Sequence, residues 1–298
     1  MEHRYALHSS PFNPKNNDAY LRWRELKLET APQNLGELVV EVDDPRSLSK
    51  CEHEAMLLRI RKANMVIYAG KTGDDPDKTI PHAMGRQFGL QRLNHNWLAD
   101  EDGITSLTVN DEGEHPTYIP YTDRPIHWHT DGYYNPIYEQ VHGLLLHCVH
   151  SAASGGENAL MDHEMAYIRL RDKNPAHIHA LMQPDAMTIP PGTDMHGKQR
   201  EATIGPVFSV NEIGGELHMR YTARRHNIQW KEDEATRDAV NALETFLHSD
   251  SDFIYRGRLE PGMGLVSNNV LHDRAGFEDR EGHPKRLLYR ARYFDRIG

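Results

Sequence analysis

The feature that most constrains the fold is a possible metal-ligand pair, His129 and Asp131, in segment 126–132. Residues two apart in an extended segment project to the same face, so the imidazole and the carboxylate can reach one point. The best third ligand is His272, in segment 268–274 near the far end of the chain. The fold must therefore bring together two segments that are far apart in the sequence.

Two histidines and one carboxylate on one side of a metal form a ligand set that suits ferrous iron. Such a set leaves coordination positions open for a cosubstrate and for oxygen. The chain has 20 histidines, however, so a His-x-Asp pair can also arise by chance. In that case the two side chains would lie on the surface of a polar loop. Other features of the sequence are needed to choose between a metal site and a chance pair.

Length and composition describe a single globular domain over residues 1–298, with an irregular N-terminal segment of about 35 residues. No apolar run approaches the roughly 20 residues of a membrane span. The first residues lack the apolar core of a signal peptide, and Cys51 and Cys148 form no disulfide framework. We therefore expect a cytoplasmic protein without a membrane partner. The formal net charge of −10 argues against a nucleic-acid partner, because phosphate backbones attract basic surfaces.

The order of predicted elements favours an α+β, mainly β, fold. Strand patterns lie at 36–42, 65–69, 103–110, 143–149, 159–161 and 264–294, with a hairpin over 206–221. Helical periodicity predicts helices at 49–64, 79–88, 162–171 and 233–248, and Ser49 and Glu52 have the spacing of a capping box. Strands at both ends of the chain with helices between them indicate a double-stranded β-helix (jelly-roll) barrel with flanking helices.

Three segments have no regular pattern. The N-terminal segment contains at most a short helix near 21–26. The proline-rich stretch 184–191 leads into a polar loop at 192–201, which is either a lid or an ordinary loop. Segment 94–97 carries side chains that could face a ligand, although a polar surface loop is the interpretation that we favour.

Residues 286–293 alternate between an apolar face and an arginine-bearing face. On a half-buried strand, the face with Arg286, Arg290 and Arg292 would look at water. The alternative is that this face lines the inside of a barrel, where each guanidinium needs an acidic partner. The fork of an arginine binds a carboxylate through two hydrogen bonds, so a dianionic acid such as 2-oxoglutarate would supply that partner.

The pattern His129-x-Asp131, then His272, then Arg286 resembles the iron(II)- and 2-oxoglutarate-dependent dioxygenases of the taurine dioxygenase (TauD/TfdA) type, which include the γ-butyrobetaine hydroxylases. In this family an arginine follows the distal histidine after ten to thirteen residues, and here residues 273–285 separate the two. The similarity extends loosely from about residue 36 to residue 294.

The resemblance implies that Fe(II) binds His129, Asp131 and His272, and that 2-oxoglutarate chelates the iron with its far carboxylate on Arg286. Oxygen binds last, the cosubstrate becomes succinate and carbon dioxide, and a substrate C–H bond is oxidised. The family places a threonine or serine after a Gly-Gly-acid turn to share that carboxylate, and Asn158 stands at this position here. An asparagine amide can still donate a hydrogen bond, so we assign Asn158 to cosubstrate binding as well.

The substrate is less constrained. Arg290 stands where taurine dioxygenase-like enzymes place an arginine for the acid group of the substrate, which implies a small anionic or amino-acid-like molecule. The alternative is that Arg290 supports Arg286 or pairs with a nearby acid. Asn94 is a second candidate for a substrate contact, and we expect the protein to form a homo-oligomer.

Two rival functions remain. A cupin-like oxygenase could use His127, His129 and His272 without 2-oxoglutarate, because the first two are also spaced as a metal-binding pair. The glutamate that such enzymes usually carry a few residues further on is missing from 130–135, so we interpret His127 as a packing residue or a partner of the ligands. The other rival is a non-catalytic jelly-roll binding or sensor protein, and Asn158 is the feature that points to it.

Overall fold

The computed structural model describes residues 9–94, 102–109, 119–193, 199–224 and 228–298. In these ranges the helices are α1 (Asn17–Thr30), α2 (Lys50–Ala63), α3 (Thr79–Gln87), α4 (His163–Lys173), α5 (Pro175–Leu181) and α6 (Glu234–Leu247). Short 3-10 turns lie at Leu35–Leu38, Ile119–Tyr121 and Ile137–Glu139. None of the helices in this part of the chain combines the length and the apolar character that crossing a membrane requires.

The strands are short and run through the whole chain. They are β1 (Val39–Val42), β2 (Met65–Gly70), β3 (Thr105–Leu107), β4 (Ile126–His129), β5 (Gly143–His150), β6 (Ser154–Gly155), β7 (Asn158–Met161), β8 (Met187–Ile189), β9 (Gly192–Thr193), β10 (Gln199–Arg200), β11 (Thr203–Gly205), β12 (Phe208–Val210), β13 (Leu217–Met219), β14 (Gln229–Trp230), β15 (Tyr255–Gly257), β16 (Met263–Ser267), β17 (Leu271–Arg274), β18 (Phe277–Glu278) and β19 (Leu287–Tyr293).

Two sheets dominate the structure. The larger sheet has the order β1-β2-β16-β5-β19-β3, and the smaller one has the order β15-β7-β17-β4. Strands β1 and β2 run parallel, whereas the other neighbours in these two sheets are antiparallel. The continuous apolar run at 143–149 is β5, an inner strand between β16 and β19. The structure is therefore a mixed fold of helices and mainly antiparallel sheets, as the sequence predicts.

Three apolar layers hold these sheets and helices together. The first joins the two sheets face to face, with Ile67 of the larger sheet and Leu160 of the smaller one among its buried side chains. The second lies on the other face of the larger sheet, where Tyr68 packs with residues of α2 and α3. The third lies on the other face of the smaller sheet, against α4, α5 and α6. The face between the sheets is the one that carries the site.

Local sequence signals set the ends of two helices as expected. Ser49 and Glu52 form the capping box at the start of α2, and each side chain accepts a hydrogen bond from the backbone of the other residue. Asn64 ends α2 in the left-handed conformation, with φ at 56°. The side chain of Asp233 caps α6 by accepting from the Thr236 amide.

The N-terminal segment is more regular than expected. Helix α1 has 14 residues, from Asn17 to Thr30, in place of the short helix predicted near 21–26. Its Lys27 is buried and forms ion pairs with Asp162 at 2.6 Å and with Glu164 at 2.5 Å. Because these partners are distant in sequence, the local pattern could not reveal what holds the helix in place.

Two further boundaries differ from the prediction. The strand expected at 36–42 begins only at Val39, because the preceding residues form a 3-10 turn capped by the Asn34 side chain. The proline-rich stretch contains β8, which pairs with β11 and β14 and buries Met187 and Ile189. In the polar loop, β9 and β10 pair with each other. Residues 194–198 lie outside the described residues, so the lid stays a prediction.

Candidate active site

The neighbouring strands β4 and β17 bring the three predicted ligands together. His129 and His272 are direct partners in the antiparallel ladder, and their ring centroids lie 4.2 Å apart. Asp131 follows β4 by two residues, and its Oδ2 lies 3.9 Å from the Nε2 of His272. The pairing of two short strands thus makes neighbours of side chains from distant parts of the sequence.

Both imidazoles are held in the same manner by the backbone. The Nδ1 of His129 lies 2.9 Å from the carbonyl oxygen of His127, and the Nδ1 of His272 lies 2.9 Å from that of Val270. A carbonyl oxygen only accepts hydrogen bonds, so each Nδ1 carries the proton and donates. Each Nε2 then keeps its lone pair, which is the state in which a histidine binds a metal.

The protonation states also suit a cation. Burial lowers the pKa of His129 to about 3, and the neighbouring His272 acts in the same direction. Burial alone would raise the pKa of Asp131, but the positive charges of Arg290 and Arg292 outweigh it and hold this pKa below its usual value. The site therefore offers a neutral imidazole at His129 and an ionised carboxylate at neutral pH.

The two oxygens of Asp131 have different surroundings. Oδ1 accepts a hydrogen bond from Arg290 Nη1 at 3.2 Å, whereas the buried Oδ2 has no hydrogen-bond partner among the described residues. A buried carboxylate oxygen without a partner is costly, so its position next to His272 fits a bound cation. In the described ranges, no three His, Cys, Asp or Glu side chains lie close enough to hold a metal as placed. The donor types, two imidazoles and one carboxylate, nevertheless fit iron.

His127 does not share the site, although it is two residues from His129. Arg274 pairs with Ile126 while His272 pairs with His129, so β4 has one more residue than β17 over this stretch. This extra residue is a β-bulge, which breaks the alternation of side chains. His127 is exposed and lines a groove together with Trp128, away from the cavity that His129, Asp131 and His272 line. The cupin-like set of three histidines is therefore not assembled.

The arginine face of β19 is buried, so the interpretation in which it looks at water is wrong. The exposed fractions of Arg286, Arg290 and Arg292 are 4%, 8% and 3%. Strand β19 lies between β5 and β3, and Arg286 and Arg290 line the same cavity as the ligand candidates. This face thus adds positive charge to the interior of the site.

Arg286 is a buried charge next to an aromatic ring. Its guanidinium lies 4.9 Å from the centre of the Phe277 ring and forms no ion pair with a described acidic residue. Burial lowers its pKa, which reflects the cost of a charge without a partner. Asn158 lines the same cavity, but its Nδ2 donates to the Asp273 carbonyl at 2.7 Å. One N–H of this amide is therefore used within the protein, and the other is left for a ligand.

Of the two candidates for substrate contacts, Arg290 contacts a ligand candidate and Asn94 lies next to the arginine strand. Arg290 bonds to Asp131, which is the pairing with a nearby acid that the sequence left open, and its buried Nε has no partner among the described residues. The backbone N–H of Asn94 donates to the Arg292 carbonyl at 2.7 Å, so Asn94 lies beside the arginine strand. Its buried Oδ1 is also unpaired within the described part of the chain. Residues 95–97 lie outside that part.

Sequence reasoning missed two polar partners of the site. The hydroxyl of Tyr134 accepts from Arg292 Nη1 at 2.7 Å, and the Asn269 side chain binds the backbone of Asp131. Both lie in segments that the motifs already mark, since Tyr134 follows Asp131 by three residues and Asn269 precedes His272 by three. Asparagine tolerates a positive φ, which was the available signal for Asn269.

Comparison with known proteins identifies the family. A sequence profile of the family described as "Taurine catabolism dioxygenase TauD, TfdA family" matches residues 70–292, which is more than half of the chain. The matched range includes the ligand candidates, Asn158 and the arginine strand up to Arg292.

Two relatives are similar to this chain in sequence, and one solved structure is similar to it in fold. A uridine-5′-phosphate dioxygenase from Amycolatopsis sp is 33% identical over 175 residues, which are 56% of this chain and 60% of the relative. One from Streptomyces sp is 30% identical over 199 residues, 63% of this chain and 68% of the relative. The non-heme iron oxygenase OrfP in complex with Fe and α-ketoglutaric acid has a similar fold, with a TM-score of 0.59 and 16% identity over 83% of this chain and 80% of that one. This chain therefore belongs to the TauD/TfdA family of dioxygenases.

Proposed function

We propose that this chain is a 2-oxoglutarate-dependent non-heme iron dioxygenase in which His129, Asp131 and His272 hold Fe(II). The observation that carries the assignment is the buried, unpaired Oδ2 of Asp131 at 3.9 Å from the Nε2 of His272. The two Nδ1–H···O=C hydrogen bonds fix the rings so that the lone pairs of both Nε2 atoms are available to a metal. When bound, iron with 2-oxoglutarate and oxygen supplies the oxidant for a substrate C–H bond, with succinate and carbon dioxide as the other products.

Arg286 is the residue that we assign to the far carboxylate of 2-oxoglutarate. Its guanidinium is buried without an acidic partner among the described residues, and a carboxylate supplies both the missing charge and the missing acceptors. Asn158 lines the same cavity and keeps one amide N–H for this carboxylate. The metal-ligand candidates and the proposed cosubstrate anchor thus line one cavity.

For the substrate we propose a small anionic molecule that is bound through Arg290, with Asn94 beside it. A nucleoside 5′-monophosphate is the first candidate, because the two relatives at 30–33% identity are named for uridine 5′-phosphate. A phosphate monoester offers several acceptor oxygens to the buried, unpaired Nε of Arg290. An amino acid is the second candidate, since its carboxylate would meet the same arginine.

We further propose that residues 1–298 form one domain in which the two sheets close into a double-stranded β-helix. The shared apolar layer between the sheets supports this arrangement. The homo-oligomeric state and the cytoplasmic location stay predictions. The rival of a non-catalytic jelly-roll sensor rested on Asn158, and membership of a dioxygenase family argues against it.

The test is succinate formation from 2-oxoglutarate with Fe(II) under air, in the presence of one candidate substrate at a time. Uridine 5′-monophosphate, uridine and L-arginine separate the need for a phosphate from the need for a nucleoside or an amino acid. We expect the nucleotide to stimulate succinate formation and uridine to leave it at the basal level. Stimulation by the amino acid alone would replace the nucleotide proposal. No succinate with or without any substrate, from protein that contains iron, would contradict the assigned chemistry.

A further inference from the structure

Asn269 has an unusual backbone conformation close to the site. It lies in the bend between β16 and β17, three residues before His272, and its φ is 51°. Its side chain is almost fully buried, with 2% of the residue exposed. A positive φ costs a non-glycine residue energy, although asparagine tolerates it better than most, so the surrounding contacts have to hold it there.

The side chain of Asn269 brackets the backbone of Asp131. Its Oδ1 accepts from the Asp131 N–H at 2.8 Å, and its Nδ2 donates to the Asp131 carbonyl at 2.9 Å. The same Nδ2 donates to the Val141 carbonyl at 2.7 Å. The Asn269 amide thus supplies both backbone hydrogen bonds that a neighbouring strand would otherwise make with Asp131.

Asp131 needs this replacement because regular pairing stops just before it. Strand β4 ends at His129, and the chain turns at Gly132, whose φ is 69°. A Cβ at Gly132 would lie 2.5 Å from a methyl carbon of Val141, so the turn is closely packed. Without Asn269, the buried N–H and C=O of Asp131 would lose their partners. The carboxylate would then no longer be held at a defined distance from β17.

We propose that Asn269 is a positioning residue that fixes Asp131 relative to His272 and thereby sets the affinity for iron. Asn269 connects the two segments that supply the proposed ligands. It belongs to the turn that leads into His272, and its side chain binds the backbone of Asp131. The inference rests on the proposed metal ligands. Asn269 itself does not touch the metal, the cosubstrate or the substrate.

The neighbouring Asn268 provides a matched control. It is also buried and also makes three side-chain hydrogen bonds: Nδ2 donates to Asn64 Oδ1 at 3.1 Å and to the Ile297 carbonyl at 3.2 Å, and Oδ1 accepts from the Ile297 N–H at 2.9 Å. These bonds tie down the end of α2 and the C-terminal segment, and none reaches Asp131. Removing either side chain therefore has a similar effect on stability, but only one of the two should affect iron.

The experiment compares Asn269→Gly, which can keep the positive φ, with Asn268→Ala. Fe(II) affinity is measured by anaerobic titration and stability by thermal unfolding of the metal-free protein. We expect both variants to lose a similar amount of stability. Asn269→Gly should bind Fe(II) about tenfold or more weakly, the usual effect of removing a group that orients a ligand, while Asn268→Ala stays near the wild type. Saturating Fe(II) should restore much of the turnover of Asn269→Gly.

Several results would overturn the inference. Unchanged Fe(II) affinity in Asn269→Gly, or equal weakening in both variants, would give Asn269 only a structural role. If Asn269→Gly does not fold, Asn269→Asp keeps the acceptor for the Asp131 N–H and loses both donors, and the same comparison applies with Asn268→Asp. Asp131→Ala distinguishes a failure of the proposed metal ligands from a failure of the role of Asn269. If Asp131→Ala retains Fe(II), the metal assignment itself is wrong. If Asp131→Ala loses Fe(II) while Asn269→Gly retains it, only the role of Asn269 is wrong.

Discussion

The Nη1 of Arg290 lies 3.2 Å from the Oδ1 of Asp131, and both side chains are buried. Arg292 approaches the same oxygen at 3.8 Å. The residue proposed to bind the substrate therefore also contacts a proposed metal ligand. An anion that binds Arg290 would weaken the positive field at Asp131, so we expect the binding of an anionic substrate to Arg290 to affect the binding of a metal at Asp131.

Arg290→Gln should mainly impair substrate binding. Hydrogen bonds to charged groups contribute about 1.5–3 kcal/mol, so the KM for the anionic substrate should rise by about tenfold or more. The KM for the cosubstrate should change far less, because the far carboxylate of 2-oxoglutarate is assigned to Arg286. Steady-state kinetics with each of the two compounds varied in turn checks this. An equal rise in both values would show that Arg290 only supports its neighbours.

Arg286→Gln should show the opposite pattern. The variant loses the buried charge assigned to the far carboxylate, so the KM for the cosubstrate should rise by about tenfold or more, while that for the substrate stays close to the wild-type value. A 2-oxo acid without a second carboxylate, such as 2-oxobutyrate, provides the control. The wild type should strongly prefer 2-oxoglutarate over it, and the variant should lose most of this preference. If the variant keeps this preference, another residue binds the far carboxylate of 2-oxoglutarate, and Asn158 is the next candidate.

Removing one histidine and one aspartate from the same segment separates the two possible ligand sets. Asp131→Ala should abolish stoichiometric Fe(II) binding, because it removes the only anionic member of the set. His127→Ala should retain iron, since the bulge in β4 turns His127 away from the site and leaves it exposed. Iron content after anaerobic loading and desalting is the measurement. Loss of iron in the His127 variant with retention in the Asp131 variant would favour the cupin-like set.

Stability should decrease as the pH falls below neutral, and His147 accounts for part of this. Burial lowers the pKa of His147 to about 4, whereas an unfolded histidine titrates near 6.5. Between these values the unfolded state binds more protons, so the contribution is fully present at neutral pH and is lost as the pH falls. One such group changes the free energy of unfolding by at most about 1.4 kcal/mol per pH unit.

His147→Gln therefore should show a weaker dependence of unfolding free energy on pH than the wild type. Urea unfolding at about pH 7 and about pH 5 gives the two values that are compared. The substitution also removes the hydrogen bond between His147 Nδ1 and the Tyr68 hydroxyl at 2.9 Å, but it does so at both pH values, so the comparison of slopes is unaffected. The exposed His127→Gln serves as the control, and its pH dependence should match that of the wild type. A wild-type slope in His147→Gln would mean that other buried groups dominate acid unfolding.

Much of the fold and of the ligand set could be predicted from local patterns. The capping box at Ser49, the apolar run of β5 and the glycine hairpin between β12 and β13 depend on neighbouring residues, and each is present as expected. The ligand candidates were recognisable because His129 and Asp131 have a defined spacing and because the distance from His272 to Arg286 matches a known family. Spacing of this kind is a property of the chain itself.

Other features depend on contacts that the chain makes only when folded. The length of α1 follows from the ion pairs of its buried Lys27 with residues of the 162–164 segment. The arginine face is buried because it lines the cavity between the two sheets, opposite residues of β4, β7 and β17. The pairing of Arg290 with Asp131 required both strands to be in position, so the sequence had to leave the role of this arginine open.

The amino-acid sequence alone determined which side chains are the candidates for binding iron and 2-oxoglutarate, because donor type and spacing are properties of the chain. Only the tertiary structure decided which neighbouring residues lie outside the site and which contact the proposed ligands. A single extra residue in β4 removes His127 from the site, and a bend before β17 brings Asn269 to the backbone of Asp131. Both depend on the register between strands that are far apart in sequence, and register is set by the packing of the whole sheet rather than by any local pattern.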